Sequence, residues 1–310
     1  MHSRPRHLFS VALGLFVAVI LSAEAAAQFG SPQSRQPRAE ELARPTVFLD
    51  RESIGPGETG HVVILFEIRD SWRLYWKNPG AGALPPDFSL EVPDGFETDA
   101  FIWPRPLLIE GRTGDMYCYE DQVAFLLPFT APPALTDDSA TILVDMSWAV
   151  CDENMCLFGR SSPELTIRTT SRITGEDGND GRSVLDDEKK KLIEKHAARR
   201  PTMVHRGALD TGARIEIDDR QLILTGPSHG RTEGKFFPYD STGVSYELRE
   251  LSFDREEESF RAVIDLKINA TDVSRGLPTL GGIVVLGDDP AEPSYEYHVP
   301  FPATLLPSSD

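Results

Sequence analysis

Thr141-Ile142-Leu143-Val144-Asp145-Met146-Ser147-Trp148-Ala149-Val150-Cys151-Asp152-Glu153-Asn154-Met155-Cys156 is the stretch on which the fold turns. Ile142, Val144, Met146, Trp148 and Val150 fall on alternate positions. Side chains alternate faces along a strand, so these five point together toward a core. Cys151 then stands at the strand's end, Asp152 to Met155 make a polar loop, and Cys156 opens the return toward a strand expected at Glu164 to Arg168. Both sulfurs are thereby held in one tight connection.

Working outward, the same short alternating runs recur at His61 to Arg69, Trp72 to Trp76, Phe101 to Trp103 and Ala124 to Phe129. Turn residues separate them: Pro56-Gly57, Asn78-Pro79-Gly80, Pro93-Asp94-Gly95 and Asp137-Asp138. From about Val47 to Thr169 this predicts an antiparallel β-sandwich, residues 46–170. Ser171 to Arg182 is rich in Gly, Asp and Asn and reads as a linker. It is followed by a helical pattern from Ser183 to Arg200 in which Leu185, Lys189, Leu192, Ile193 and His196 share a face, Ser183 caps and Pro201 stops. The linker with its helix spans 171–201. The β pattern resumes at Arg214 to Ile217, Gln221 to Thr225, Val244 to Leu251, Phe260 to Ile268, Gly282 to Leu286 and Tyr295 to Val299, so 202–310 is read as a second sandwich. The fold class is therefore all-β, two antiparallel sandwiches joined by a short helical linker.

At the other end, His2, Arg4, Arg6 and His7 precede an apolar run from Leu8 to Leu21 and then Ala25-Ala26-Ala27, the three parts of an export signal over residues 1–27. The expected location is the periplasm, as a soluble protein without membrane insertion, since no later run approaches the length of a membrane span. Residues 28–45, polar and with Pro32, Pro37 and Pro45, read as a disordered lead-in. The net charge is −18, and about −19 once Arg4, Arg6 and Glu24 leave with the signal. So acidic a field repels phosphate backbones and argues against nucleic acid as a partner. Three cysteines allow one internal disulfide at most.

Spacing alone leaves two readings of Cys151 and Cys156 open. A C-x4-C ring is small, and closing it removes unfolded-state entropy worth only on the order of 2 kcal/mol, so it is a weak staple. A short exposed bridge is also easily reduced, as a working redox pair requires. A third class is soft-metal binding, because Met116, Cys118, Met155 and the pair itself are ligand types that suit Cu(I), with Cys118 and Met155 the candidate ligands beyond the pair. A fourth is a non-catalytic interaction module stapled by a structural disulfide. Gly55-Pro56-Gly57-Glu58-Thr59-Gly60 matches a dinucleotide fingerprint by letter but precedes a strand, whereas phosphate cradling needs a helix N-terminus. No hydrolase or nucleotide motif is present, and no cofactor is expected.

Several strings go further: Ser71-Trp72-Arg73-Leu74-Tyr75-Trp76-Lys77-Asn78-Pro79-Gly80, Trp103-Pro104, Tyr117-Cys118-Tyr119-Glu120, and Trp148-Ala149-Val150-Cys151 through Cys156. Over about Val47 to Ile167 the chain resembles the periplasmic N-terminal domain of the DsbD and ScsB thiol:disulfide interchange proteins. Phe236-Phe237-Pro238 resembles the region that follows it in ScsB-like members. The resemblance implies immunoglobulin-like sandwiches and a catalytic Cys151/Cys156 pair. That pair would take electrons from a membrane-embedded disulfide reductase and pass them to oxidised periplasmic thioredoxin-like proteins. The resemblance is to the periplasmic part, without the membrane and thioredoxin domains, so the donor is expected to be a separate protein. Tyr117 and Tyr119 are read either as an aromatic shield over the pair or as ordinary strand aromatics. Cys118, where the family favours a small residue, is expected to be a partly buried unpaired thiol.

Overall fold

The computed structural model describes residues 36–111, 114–170, 187–204, 212–273, 278–288 and 292–305. The export signal, the lead-in as far as residue 35, the Ser171 to Arg182 linker, and Ser183 and Leu185 of the expected helix lie outside the described residues.

Within Arg38–Asp310 a helical turn, α1 (Ala39–Leu42), runs directly into β1 (Ala43–Leu49). There follow β2 (Ser53–Ile54), β3 (Thr59–Ile68), β4 (Leu74–Gly80), β5 (Asp87–Glu91), β6 (Glu97–Thr98), β7 (Leu107–Ile109), β8 (Met116–Tyr119), β9 (Gln122–Thr130), β10 (Ser139–Cys151), β11 (Cys156–Ser161) and β12 (Glu164–Thr169). They form three sheets, ordered β1-β3-β9-β6, β11-β10-β12-β2 with β5 also on β10, and β4-β8-β7. After α2 (Asp187–Ala197) come β13 (Thr202–Val204), β14 (Arg214–Asp218), β15 (Gln221–Pro227), β16 (Gly234–Pro238), β17 (Val244–Asp254), β18 (Ser259–Ile268), the short α3 (Ala270–Val273), β19 (Thr279–Leu286) and β20 (Ser294–Pro300). These make two further sheets, β13-β20-β19-β16 and β14-β15-β18-β17. The chain is mostly β, with helices few and short.

Two expectations need correction. Order begins at Ala39, inside the supposed lead-in, because Ala39, Leu42 and Ala43 are almost fully buried in the core and β1 pairs with β3 from Ala43 onward. Phe101 to Trp103 is not a strand: only Ile102 bridges to Leu126, its N–H donating at 3.0 Å. Pro104 and Pro106 follow at once and cannot donate to a ladder.

The alternation in β10 holds. Ile142, Val144, Met146, Trp148 and Val150 are all at most 2% exposed and lie in one core with Phe66, Phe125, Phe129 and Trp76. That core does not stop at the linker. Phe237 and Tyr239, with Ile283 and Val285 of β19, belong to it, and Trp76 meets Phe237 and Tyr239 at ring-centroid distances of 6.3 and 6.2 Å. A second core, built on Leu222, Leu224, Phe260, Ile264, Val284 and Tyr297, fills the space between the last two sheets.

Helix α2 does more than connect. Leu192 and Ile193 pack on Phe48, Val63, Leu65 and Ala124, so the helix covers the outer face of the β1-β3-β9 sheet, which reads as apolar on both faces for that reason. His196 is fully buried there, and neither ring nitrogen has a hydrogen-bond partner. Burial, with Arg199 and then Lys195 adding repulsion, lowers its pKa to about 4. The folded protein therefore holds a neutral imidazole while the unfolded chain gains a proton below its ordinary pKa of about 6.5. Stability from this residue is complete above that value and is lost as pH falls through the window down to about 4, a total of about 3 kcal/mol. His196→Leu is expected to be more stable at pH 7 and to flatten the fall of Tm between pH 7 and 4. An unchanged slope in that variant would assign the acid sensitivity elsewhere.

Candidate functional site

The site is a hairpin end. β10 pairs with β11 from Met146–Ser161 to Cys151–Cys156, so the two cysteines stand directly opposite each other. On its other edge Cys151 is committed to Arg73: the Arg73 N–H donates to the Cys151 carbonyl at 2.9 Å, and the Cys151 N–H donates to the Arg73 carbonyl at 3.0 Å. With both backbone groups turned toward Arg73, Cys151 and Cys156 form a non-hydrogen-bonded pair, the kind in which opposed side chains come closest. Their Cα atoms are 4.1 Å apart, and the sulfurs are joined as a disulfide. The turn is built by Asp152, whose Oδ1 accepts from the N–H groups of Asn154 and Met155 at 2.7 and 2.8 Å. Below it, Gly159 lies against the Trp148 indole, and an added Cβ would come within 2.3 Å of the ring.

The sulfurs have unequal surroundings. Cys151 is 1% exposed, in a small cluster with Tyr75, Cys118 and Ala149 that Ala83, Ile109 and Met116 pack against. Cys156 is exposed. On the same face, two residues on, Phe158 is 71% exposed. Met155, the neighbour of Cys156 in the turn, is exposed as well, so apolar side chains flank the open cysteine.

Alternation along β8 assigns its residues. Cys118 is fully buried and faces the Cys151 cluster, while Tyr117 and Tyr119 turn to the opposite face. Tyr119 is buried, its hydroxyl donating to the Pro104 carbonyl at 2.7 Å, and Tyr117 packs edge-on against Trp76 and Phe237. The shield reading of Tyr117 and Tyr119 is thus corrected: they are core aromatics, and the aromatic that packs with Cys151 is Tyr75. Burial first, then the Glu120 carboxylate, pushes the Cys118 thiol up to about 12 in spite of Arg73, leaving it protonated and inert. The Arg73 guanidinium is held by Glu120 at 2.8 Å, so the cation beside Cys151 is already paired with a carboxylate. For the soft-metal reading, Cys118 lies inside the cluster with Met116 while Met155 sits outside on the turn. Among the described residues no group of three or more His, Cys, Asp or Glu is placed to hold a metal ion.

Residues 42–166 match the family model described as "Thiol:disulfide interchange protein DsbD, N-terminal". This part of the chain is a DsbD N-terminal domain. The crystal structure of the N-terminal periplasmic domain of ScsB from Proteus mirabilis superimposes with a TM-score of 0.50, covering 83% of this chain and 91% of that one at 14% identity. At that identity the likeness is one of fold, and it extends past the DsbD N-terminal domain into the second group of sheets. AvmM, which catalyses macrocyclization in alchivemycin A biosynthesis, aligns over 45% of this chain and 97% of its own at 10% identity and a TM-score of 0.23. No curated protein matches the chain. Among the described residues no helix is long and apolar enough to cross a membrane.

In this DsbD N-terminal domain the sequence pointed to both cysteines but not to the residues that set them apart. Arg73, Tyr75 and Glu120 lie in strings that carried the resemblance, yet nothing in their spacing places Arg73 opposite Cys151, 78 positions away in sequence. Phe158 was legible in part. An aromatic two residues after Cys156 shares its face if the return is a strand, a strand that the sequence reading began only at Glu164.

Proposed function

We propose that this chain is a periplasmic thiol–disulfide interchange protein that relays electrons through Cys151 and Cys156. The donor is a membrane-embedded disulfide reductase and the acceptors are oxidised thioredoxin-like proteins. The observation that carries this reading is the contrast between the two cysteines, one buried and one exposed at the tip of a hairpin and flanked by Met155 and Phe158. A purely structural staple has no need of that contrast.

The chemistry follows from it. A donor thiolate attacks the open sulfur of Cys156, the Cys151–Cys156 bond breaks, and Cys151 leaves as a thiolate that takes up a proton. The donor's second thiol then displaces Cys156, and two electrons and two protons have moved to this chain. In the forward step the Cys156 thiolate attacks the acceptor's disulfide. Cys151 resolves the mixed disulfide, restoring the bond here and leaving the acceptor reduced. Phe158 and Met155 give a partner apolar surface to settle on during the exchange.

The reduction potential tests this. With Cys118→Ser as background, thiol trapping across a series of dithiol and glutathione redox buffers is expected to place the pair between about −120 and −270 mV, the range of working exchange couples. A value below about −300 mV marks a structural bond and would replace the relay with a non-catalytic interaction module.

A further inference from the structure

A cavity of about 630 Å³, none of whose wall residues belongs to the Cys151 cluster, opens between the Asp99 to Trp103 segment, the chain that follows α2, and β20. That volume falls within the range of small-molecule sites. Its wall is mainly apolar, with Phe101, Ile102, Trp103 and Met203. Met203 is 39% exposed and lends the wall a flexible apolar side chain.

The charged groups in the wall are unequally satisfied. Lys77 and Glu296 pair with each other at 2.8 Å, and His298 Nε2 meets the Tyr239 hydroxyl at 2.7 Å. Arg200 differs. Its Nε is a buried donor with no acceptor, and no ion pair to another described residue accompanies it. Asp50 is an opposing charge that acts on it. That carboxylate is already engaged, Oδ1 by the His61 N–H at 2.8 Å and by Arg51 at 3.3 Å, and Oδ2 by the His61 ring at 2.8 Å. Arg200 is half-buried in a mainly apolar wall, so the part of its guanidinium that lines the cavity, rather than the enclosed Nε, offers a seat for an anion. Asp99, also in the wall and exposed, opposes a second negative charge.

We propose that this cavity binds a small organic monoanion, a single carboxylate carried on a flat apolar body, with Arg200 taking the carboxylate and Trp103, Phe101 and Met203 enclosing the body. The site is independent of the disulfide exchange, and neither needs the other.

Isothermal titration of the purified mature protein with benzoate, phenylacetate and indole-3-acetate tests this. At least one of the three is expected to bind saturably, with inorganic phosphate failing to compete. Indole-3-acetamide, the neutral twin, and the Arg200→Gln variant should each weaken binding at least tenfold, and Arg200→Lys should restore part of it. Met203→Glu, which sets a negative charge in the apolar wall, should abolish binding while leaving the Cys151/Cys156 potential unchanged, and so guards against an Arg200→Gln variant that fails to fold. Absence of saturable binding by all three probes up to about 5 mM, where only very weak affinity escapes detection, or equal binding of acid and amide, would overturn the proposal.

Discussion

Replacing Cys156 by serine is expected to slow disulfide exchange by roughly a thousandfold or more, the scale of removing a covalent nucleophile, whereas Cys151→Ser should stop the reaction one step later. The difference follows from burial. Cys156 is the exposed sulfur and Cys151 is 1% exposed beneath Tyr75 and Ala149. With Cys151 replaced, Cys156 still attacks an acceptor disulfide but nothing resolves the product, so a one-to-one mixed disulfide accumulates. With Cys156 replaced, the remaining thiol cannot reach a partner's sulfur and no adduct forms. Non-reducing electrophoresis after mixing each reduced variant, in the Cys118→Ser background, with an oxidised thioredoxin-like protein reads both outcomes. Trapping by the Cys156→Ser variant instead would reverse the order of attack and refute the argument from burial.

Why the cysteines were legible and their environment was not comes down to the range of the interactions involved. Period-2 alternation is a local property, so Ile142 to Val150 announced their strand and placed Cys151 at its end. A hairpin joining two nearby cysteines is local too. The asymmetry between the sulfurs comes instead from strand β4, through the bridge of Arg73 to Cys151 and the pairing of Tyr75 with Cys118, and register between distant strands leaves no trace in one sequence. Asn78-Pro79-Gly80 shows the same limit from the other side. The string announces a turn, but these residues are the end of strand β4, where the ladder to β8 is irregular between Tyr75 and Gly80; Gly80 sits there at φ +61°, and a Cβ would fall 2.2 Å from the Asp115 carbonyl. The Asn78 side chain, however, also donates to the Pro238 carbonyl at 2.8 Å, a contact 160 residues away. The expectation of two sandwiches strung on a helix likewise missed a core that runs on through Phe237 and Tyr239, since apolar residues in β16 look the same whether they face their own sheet partner or another.

Glu296→Ala is expected to destabilise the protein by about 3–5 kcal/mol, as removing one member of a buried ion pair does. The Glu296 carboxylate is drawn upward in pKa by burial, but His298, Lys77 and Tyr239 outweigh that and hold it at about 2. Its Oε1 takes Lys77 Nζ at 2.8 Å and the Tyr239 hydroxyl, while His298 Nε2 stands 3.4 Å away. Lys77 in turn lies over the Tyr239 ring at 4.0 Å, and its pKa is lowered by burial even with Glu296 beside it. The pair is therefore no great source of stability in itself. What costs free energy is removing one partner, which leaves a desolvated ammonium uncompensated. The double variant Lys77→Met with Glu296→Leu should then recover most of the loss, where two independent contributions would add. Acid makes the same break without a mutation. The folded-state pKa lies below the unfolded value, so the stability from Glu296 is complete above about pH 4.5 and is lost as pH falls toward 2, by about 3 kcal/mol. Urea unfolding of the two variants at pH 7, and of the wild type down to pH 3, reads both effects. A cost below about 1 kcal/mol for Glu296→Ala would mean that the ion pair adds little and that the contact between the two groups of sheets rests on its other interactions, the packing of Trp76, Phe237 and Tyr239 among them.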